Sequence, residues 1–147
     1  MNNNHDSFSR AWAVLFGAWL IACLSTLGSL FFSEVMNLPP CVLCWYQRIC
    51  MYPLVVILMV GLFPLKKEVV KYSLPLVLVG WSISLYHNLL YYKILPKSAA
   101  PCVQGVSCTT VYFEWLGFIT IPLLSFIAFS LIFLLIALTN RILTHEK

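Results

Sequence analysis

Four stretches of this chain, residues 11–33, 49–65, 72–92 and 115–140, contain no Asp, Glu, Lys or Arg. A bilayer core about 30 Å thick is crossed by roughly 20 helical residues. Lipid offers no partner to a backbone N–H or C=O, so each stretch has to close its hydrogen bonds internally, as an α-helix does. The 147 residues are 61% hydrophobic and only 10% charged, too apolar for a water-soluble domain of this size. The sequence therefore predicts an all-α integral membrane protein, a single domain built as a four-transmembrane-helix bundle in up-down-up-down order. The expected spans are 11–33, 43–65, 72–92 and 115–140, the second including a motif described below. Residues 11–33 exceed the apolar core of a signal peptide, and no small-residue cleavage pattern precedes Glu34. Gly17, Gly28, Ala18 and Ala22 offer small surfaces for close helix packing.

The formal net charge of +4 is distributed as a topology signal and not as a nucleic-acid footprint. Arg10, Lys66, Lys67, Lys71, Arg141 and Lys147 fall on one side of the predicted bundle; Lys93, Lys97 and Arg48 fall on the other. Cytoplasmic flanks collect Lys and Arg, so both termini are expected in the cytoplasm of a cell-membrane protein. The loops carrying Cys41, Cys44, Cys102 and Cys108 then face outward, where disulfides persist. Trp45, Tyr46, Tyr91, Tyr92, Tyr112 and Trp115 fall at the outer ends of spans, as an interfacial aromatic belt requires.

The segment with most chemistry is Pro39-Pro40-Cys41-Val42-Leu43-Cys44-Trp45-Tyr46-Gln47-Arg48. Proline pushes the preceding residue out of the helical region, so an extended approach is expected to end at a helix beginning near Val42. A thiol at a helix N-terminus feels the positive end of the dipole, which favours thiolate. Cys44 and Arg48, four apart, share a helix face. A four-residue loop gains little from closure, so Cys41-Cys44 suits redox exchange better than stapling. Cys102 and Cys108 form a second pair around Gly105 in the 93–114 loop, and this pair is either a staple or a disulfide open to another protein's thiol. Cys23 and Cys50 read as free thiols filling apolar space. His87, late in the third span, is either a helix–helix hydrogen-bonding group or a functional one. Glu34 reads as a solvated or headgroup-level acid.

A relay of two cysteine pairs must discharge its electrons. The chain carries no nucleotide fingerprint and no Cys-x-x-Cys-His haem signature. A Cys-x-x-Cys at the bilayer edge, with an arginine and aromatics, points to a lipid-soluble acceptor such as a quinone.

The segment Cys41-Val42-Leu43-Cys44-Trp45-Tyr46-Gln47-Arg48 strongly resembles the DsbB family of disulfide-bond formation membrane proteins, with the BdbC-like branch nearest. Residues 29–34 and 117–122 also look like family segments, and the resemblance covers nearly the whole chain. It implies a quinone-dependent protein disulfide-forming oxidoreductase, with menaquinone or ubiquinone as cofactor. Its partner would be an extracytoplasmic DsbA-like protein of thioredoxin fold, a system established for the family. By motif match Cys44 faces the quinone and Cys41 exchanges with the second pair. Cys102 takes the partner's thiol in a mixed disulfide, Cys108 closes the relay, and Arg48 and His87 belong to the quinone site. The Cys102–Cys108 spacing is shorter than in the Gram-negative enzymes. Two other readings of the residues are a metal-handling membrane protein using Cys41, Cys44 and His87, and a structural membrane protein with stapled outer loops.

Overall fold

The computed structural model describes residues 3–37, 39–65, 67–94 and 120–145. Helix α1 spans Asn3–Leu30 and continues as one π-helical turn, Phe31–Val35; α2 spans Val42–Leu62, α3 Glu68–Tyr91 and α4 Ile121–His145. All four are long and apolar enough to cross a membrane, and no strand occurs among the described residues. This is an all-α, four-helix membrane bundle.

The boundaries follow from local chemistry. The chain after α1 stays helical beyond residue 33, where a loop was expected. Ser33 Oγ donates back to the Ser29 and Leu30 carbonyls, and the Met36 N–H reaches the Phe31 carbonyl five residues earlier. Residues 36 and 37 then turn the chain, with Asn37 in the left-handed region at φ 52°. Asn tolerates that region because its short polar side chain bonds locally. Helix α2 stops at Leu62 and not at residue 65, because Phe63 precedes Pro64 and is held extended at φ −136°, ψ 92°. In α4, Pro122 falls in the first turn, where its missing N–H costs nothing. At the opposite end of that helix Lys67 Nζ donates to the Leu143 carbonyl, a cation on a helix C-terminus.

Helix α1 packs on α2 and α4, and α3 packs on the same two, so the four close into a ring. Leu15, Leu54, Leu58, Val77, Phe129, Ile132 and Ile136 fill its centre with no exposed surface. The outward faces carry Leu24, Leu27, Ile49, Val56, Val60 and Leu134, the surface that lipid covers. Close approach falls on other glycines than expected. A Cβ on Gly80 would run into the Phe129 ring, and one on Gly61 into Val69. Among the described residues, Gly17 meets Leu135 at an ordinary 3.9 Å and Gly28 meets nothing within 4 Å. Ala18 and Ala22 are fully buried, as small residues at a helix contact should be.

Candidate active site

Cys41 is the N-cap of α2, in extended conformation at φ −71°, ψ 165°. That conformation turns its side chain over the first turn, and Sγ accepts the Cys44 backbone N–H at 3.3 Å. A sulfur thus takes the place usually filled by a Ser or Asp oxygen at the positive end of the helix. Cys41 is buried and Cys44 half-buried, and both are free thiols here. Just ahead of the spanning helix, the Cys41 thiol is held well below the ordinary range. The hydrogen bond from the Cys44 thiol is the main cause, opposed by burial and reinforced by the His87 ring.

His87 reaches this sulfur from α3. Its Nε2 lies 3.9 Å from Cys41 Sγ, and Gln47 Nε2 lies 3.3 Å from Nδ1. Both side chains are buried, His87 to 2% exposure. The contacts agree with one tautomer. In the tautomer in which the Gln47 amide donates to Nδ1, the ring proton is on Nε2 and is donated to Cys41. A buried glutamine on α2 therefore sets the face a histidine on α3 presents to a cysteine.

Arg48 lies one turn below Cys44 and turns into the bundle. Its Nε donates to Ser29 Oγ at 2.8 Å and Nη2 to the Ser29 carbonyl at 3.0 Å, while the guanidinium lies 5.5 Å from the centre of the Trp45 ring. A cation in an apolar span thus finds two acceptors on α1 and an aromatic face, which lowers its burial cost.

These groups open onto one cavity of about 460 Å³. Cys41, Cys44, Gln47, Arg48 and His87 line one part of it. Leu24 and Ile127, which also line it, are largely exposed on the outer faces of α1 and α4, so the cavity continues between those helices toward lipid. Thr120 contributes to the wall, and its buried hydroxyl has no hydrogen-bond partner among the described residues. Next to His87, Asn88 ties α3 to α4 by donating to the Ser84 and Pro122 carbonyls at 2.8 and 2.9 Å. An apolar chamber of this size with a few convergent polar groups is the usual form of a small-molecule site.

Of the residues singled out in the sequence, Cys41, Cys44, Arg48 and His87 meet at this cavity. Cys102 and Cys108 lie outside the described residues. Cys50 is buried among the core side chains of α2, and Cys23 is half-buried on α1; neither lines the cavity. Glu34 is exposed on the π-helical turn. Gln47, Ser29 and Asn88 were given no role in the sequence reading. The available signal was a polar side chain inside an apolar span, one turn from a residue already suspected.

Residues 9–139 match the family described as disulfide bond formation protein DsbB. Disulfide bond formation protein C of Bacillus subtilis is 47% identical over 124 residues, covering 84% of this chain and 90% of that protein. A probable disulfide formation protein C of Halalkalibacterium halodurans is 47% identical over 121 residues, 82% of this chain and 88% of its own length. A probable disulfide formation protein of Metapseudomonas resinovorans is 39% identical over 139 residues, 94% of this chain and 96% of its own. No solved structure is a significant match.

Proposed function

This chain belongs to the DsbB family of disulfide bond formation proteins, and from that premise we propose that it is a quinone-dependent membrane thiol oxidase. It reoxidises the dithiol of an extracytoplasmic, DsbA-like thioredoxin-fold partner and so sustains disulfide formation in exported proteins. What supports this reading is the convergence of Cys41, His87 and Arg48 on an apolar chamber that continues toward lipid. Both termini lie in the cytoplasm and the cysteine-bearing ends outside, in keeping with the excess of Lys and Arg at the other ends.

The exchange balances in bonds and electrons. A partner thiolate attacks Cys102 of a Cys102–Cys108 disulfide, forming a mixed disulfide and releasing Cys108. The partner's second thiol resolves it, so the partner leaves oxidised and the pair stays reduced. A thiolate of that pair then attacks Cys41 of a Cys41–Cys44 disulfide, and Cys44 leaves. When the second pair closes its own disulfide, Cys41 leaves as thiolate. A lower thiol pKa makes a better leaving group, and the Cys44 N–H with the His87 Nε2–H receives the released charge. Two electrons and two protons have then passed from the partner to Cys41 and Cys44.

The chamber fits a quinone head: its walls are apolar, its polar groups converge, and one side continues toward lipid. A bound quinone supplies a two-electron, two-proton acceptor. Cys44 lies on the chamber wall within one turn of Arg48. The guanidinium, held by Ser29, is placed to donate to a carbonyl oxygen and to offset negative charge. His87 presents Nε2 to Cys41 Sγ.

The test is anaerobic mixing of purified protein, quinone and the reduced partner while quinone absorbance is followed. The expected result is one quinone reduced per partner disulfide formed. Partner oxidation without loss of quinone absorbance would remove the acceptor from this reading.

A further inference from the structure

We propose that the reduced Cys41–Cys44 pair and His87 form a capture site for a thiophilic divalent cation of the zinc or cadmium class, and that capture locks the protein in its reduced state. The Sγ atoms of both cysteines and a ring nitrogen of His87 all lie within 4.8 Å of one another. The Cys41 Sγ to His87 Nε2 distance is 3.9 Å. Sulfur and nitrogen ligands on one tetrahedral zinc ion stand about 3.6 Å apart, from the usual bond lengths. Side-chain movement of a few tenths of an ångström for the Cys41–His87 pair, and of up to about an ångström across the set, therefore brings these atoms onto one ion.

The surroundings suit such an ion. Two thiolates and an imidazole are the soft donor set that selects zinc and its heavier congeners over magnesium or calcium. Two thiolates neutralise a divalent cation, so the complex adds no net charge to an apolar interior. A ligating histidine donates its other N–H to an outer acceptor. Gln47 already stands 3.3 Å from Nδ1, and half a turn of its amide presents the oxygen to an Nδ1–H. The chamber leaves the fourth position open to water.

Capture is not a redox step: any thiol proton still present leaves, the ring proton takes the Nδ1 position, and two metal–sulfur bonds and one metal–nitrogen bond form. A Cys41–Cys44 disulfide offers no thiolate, so only the reduced protein binds, and by mass action the ion stabilises that form. Binding itself does not depend on the oxidase reading; the arrest of turnover does.

The experiment uses full-length protein carrying Cys102→Ala and Cys108→Ala, which removes the other thiol pair. Reduced and oxidised samples are titrated with cadmium against a coloured indicator, following the cadmium–thiolate charge-transfer band. One equivalent is expected to bind the reduced protein and none the oxidised. X-ray absorption at the cadmium edge should count two sulfur ligands and one imidazole, a readout that needs no further variant. His87→Leu should weaken binding by at least about the tenfold typical of losing an outer-shell partner. Cys23→Ala with Cys50→Ala should change nothing. Equal binding by the oxidised protein, two sulfurs without imidazole, or an unchanged affinity in His87→Leu would each overturn the site. Single-turnover quinone reduction by the same reduced preparation separates the two claims. Quinone reduction without cadmium binding sinks the capture site alone, and cadmium binding without quinone reduction sinks the oxidase alone. In intact protein turning over with its partner, cadmium should stop quinone reduction and leave Cys41 and Cys44 reduced.

Discussion

Arg48 on α2 and Ser29 on α1 are joined twice, through the serine hydroxyl at 2.8 Å and its backbone carbonyl at 3.0 Å. The guanidinium is therefore hydrogen-bonded to a neighbouring helix, with Trp45 of its own helix beside it. Ser29→Ala keeps the carbonyl contact and loses one charge-assisted bond, worth roughly 1.5 kcal/mol. The expected outcome is a quinone KM raised about tenfold with kcat near wild type. Arg48→Gln should go further and leave Cys41 and Cys44 mostly reduced in the steady state, with exchange between Cys102 and the partner intact. Rates against quinone concentration decide it; superimposable curves for all three proteins would reduce the contact to a helix tie.

Gln47→Leu preserves volume and removes the donor facing His87 Nδ1. The ring then loses the contact that holds its proton on Nε2, and Cys41 loses part of its hydrogen bonding. Alkylation of Cys41 at neutral pH, read by peptide mass, should slow by about fivefold for a hydrogen bond near 1 kcal/mol. Gln47→Glu offers Nδ1 an acceptor in place of a donor and should not restore the rate. A wild-type rate in Gln47→Leu would make the glutamine a space-filler.

The lowered pKa of Cys41 predicts a pH profile in chelator-treated, reduced protein. Thiolate is the reactive form, and an ordinary thiol with a pKa of about 8.5 loses roughly tenfold in rate per unit below it. A folded-state pKa below that range keeps the thiolate populated as pH falls, so Cys41 alkylation should stay nearly flat from about pH 8 to pH 6. The groups acting on this sulfur are Cys44 and His87, with Arg48 acting on Cys44 from one turn below. His87→Leu should restore part of the slope. A full tenfold fall per unit in the wild type would contradict the assignment.

Gly80→Ala places a Cβ against the ring of the fully buried Phe129. Overpacking of this kind costs about 1–3 kcal/mol. In detergent its unfolding midpoint should fall by several degrees. Gly28→Ala, with nothing within 4 Å among the described residues, should leave the midpoint unchanged or raise it slightly. Equal midpoints for the two variants would mean that α3 and α4 separate at little cost.

Cys108→Ala is expected to trap the partner in a mixed disulfide through Cys102. Non-reducing gels and mass mapping identify the joined sulfurs. In the complementary variant, Cys102→Ala, no adduct should accumulate; an adduct formed through Cys108 would reverse the order of the second pair.

Much of this arrangement was legible in the chain. Charge-free runs fix four spans because lipid admits so few backbones. Pro39-Pro40 before Cys41 marks the start of α2, and four-residue spacing puts Arg48 below Cys44. The meeting of Cys41 with His87 was not legible, because 46 residues separate them and the contact depends on how α2 packs against α3. The same holds for Ser29, one small polar residue in a stripe of them until α2 delivers Arg48 against it. Which glycine permits close approach depends on the facing side chain, so Gly61 and Gly80 take the role expected of Gly17 and Gly28. The helix continues past residue 33 because a serine bonds back to its own turn, a local preference that hydropathy does not register.

Cys41, Cys44, Gln47 and His87 all sit on the α2–α3 hairpin, whereas part of the apolar wall of the chamber, through Leu24 and Ile127, belongs to the first and last helices. Inheritance can act on these two halves separately. Drift along α1 and α4 reshapes the hollow, and with it which hydrophobic guest is admitted, while the thiol chemistry on the hairpin keeps its geometry. Substitutions on the outward part of that wall can alter the hollow without moving Cys41, Cys44 or His87.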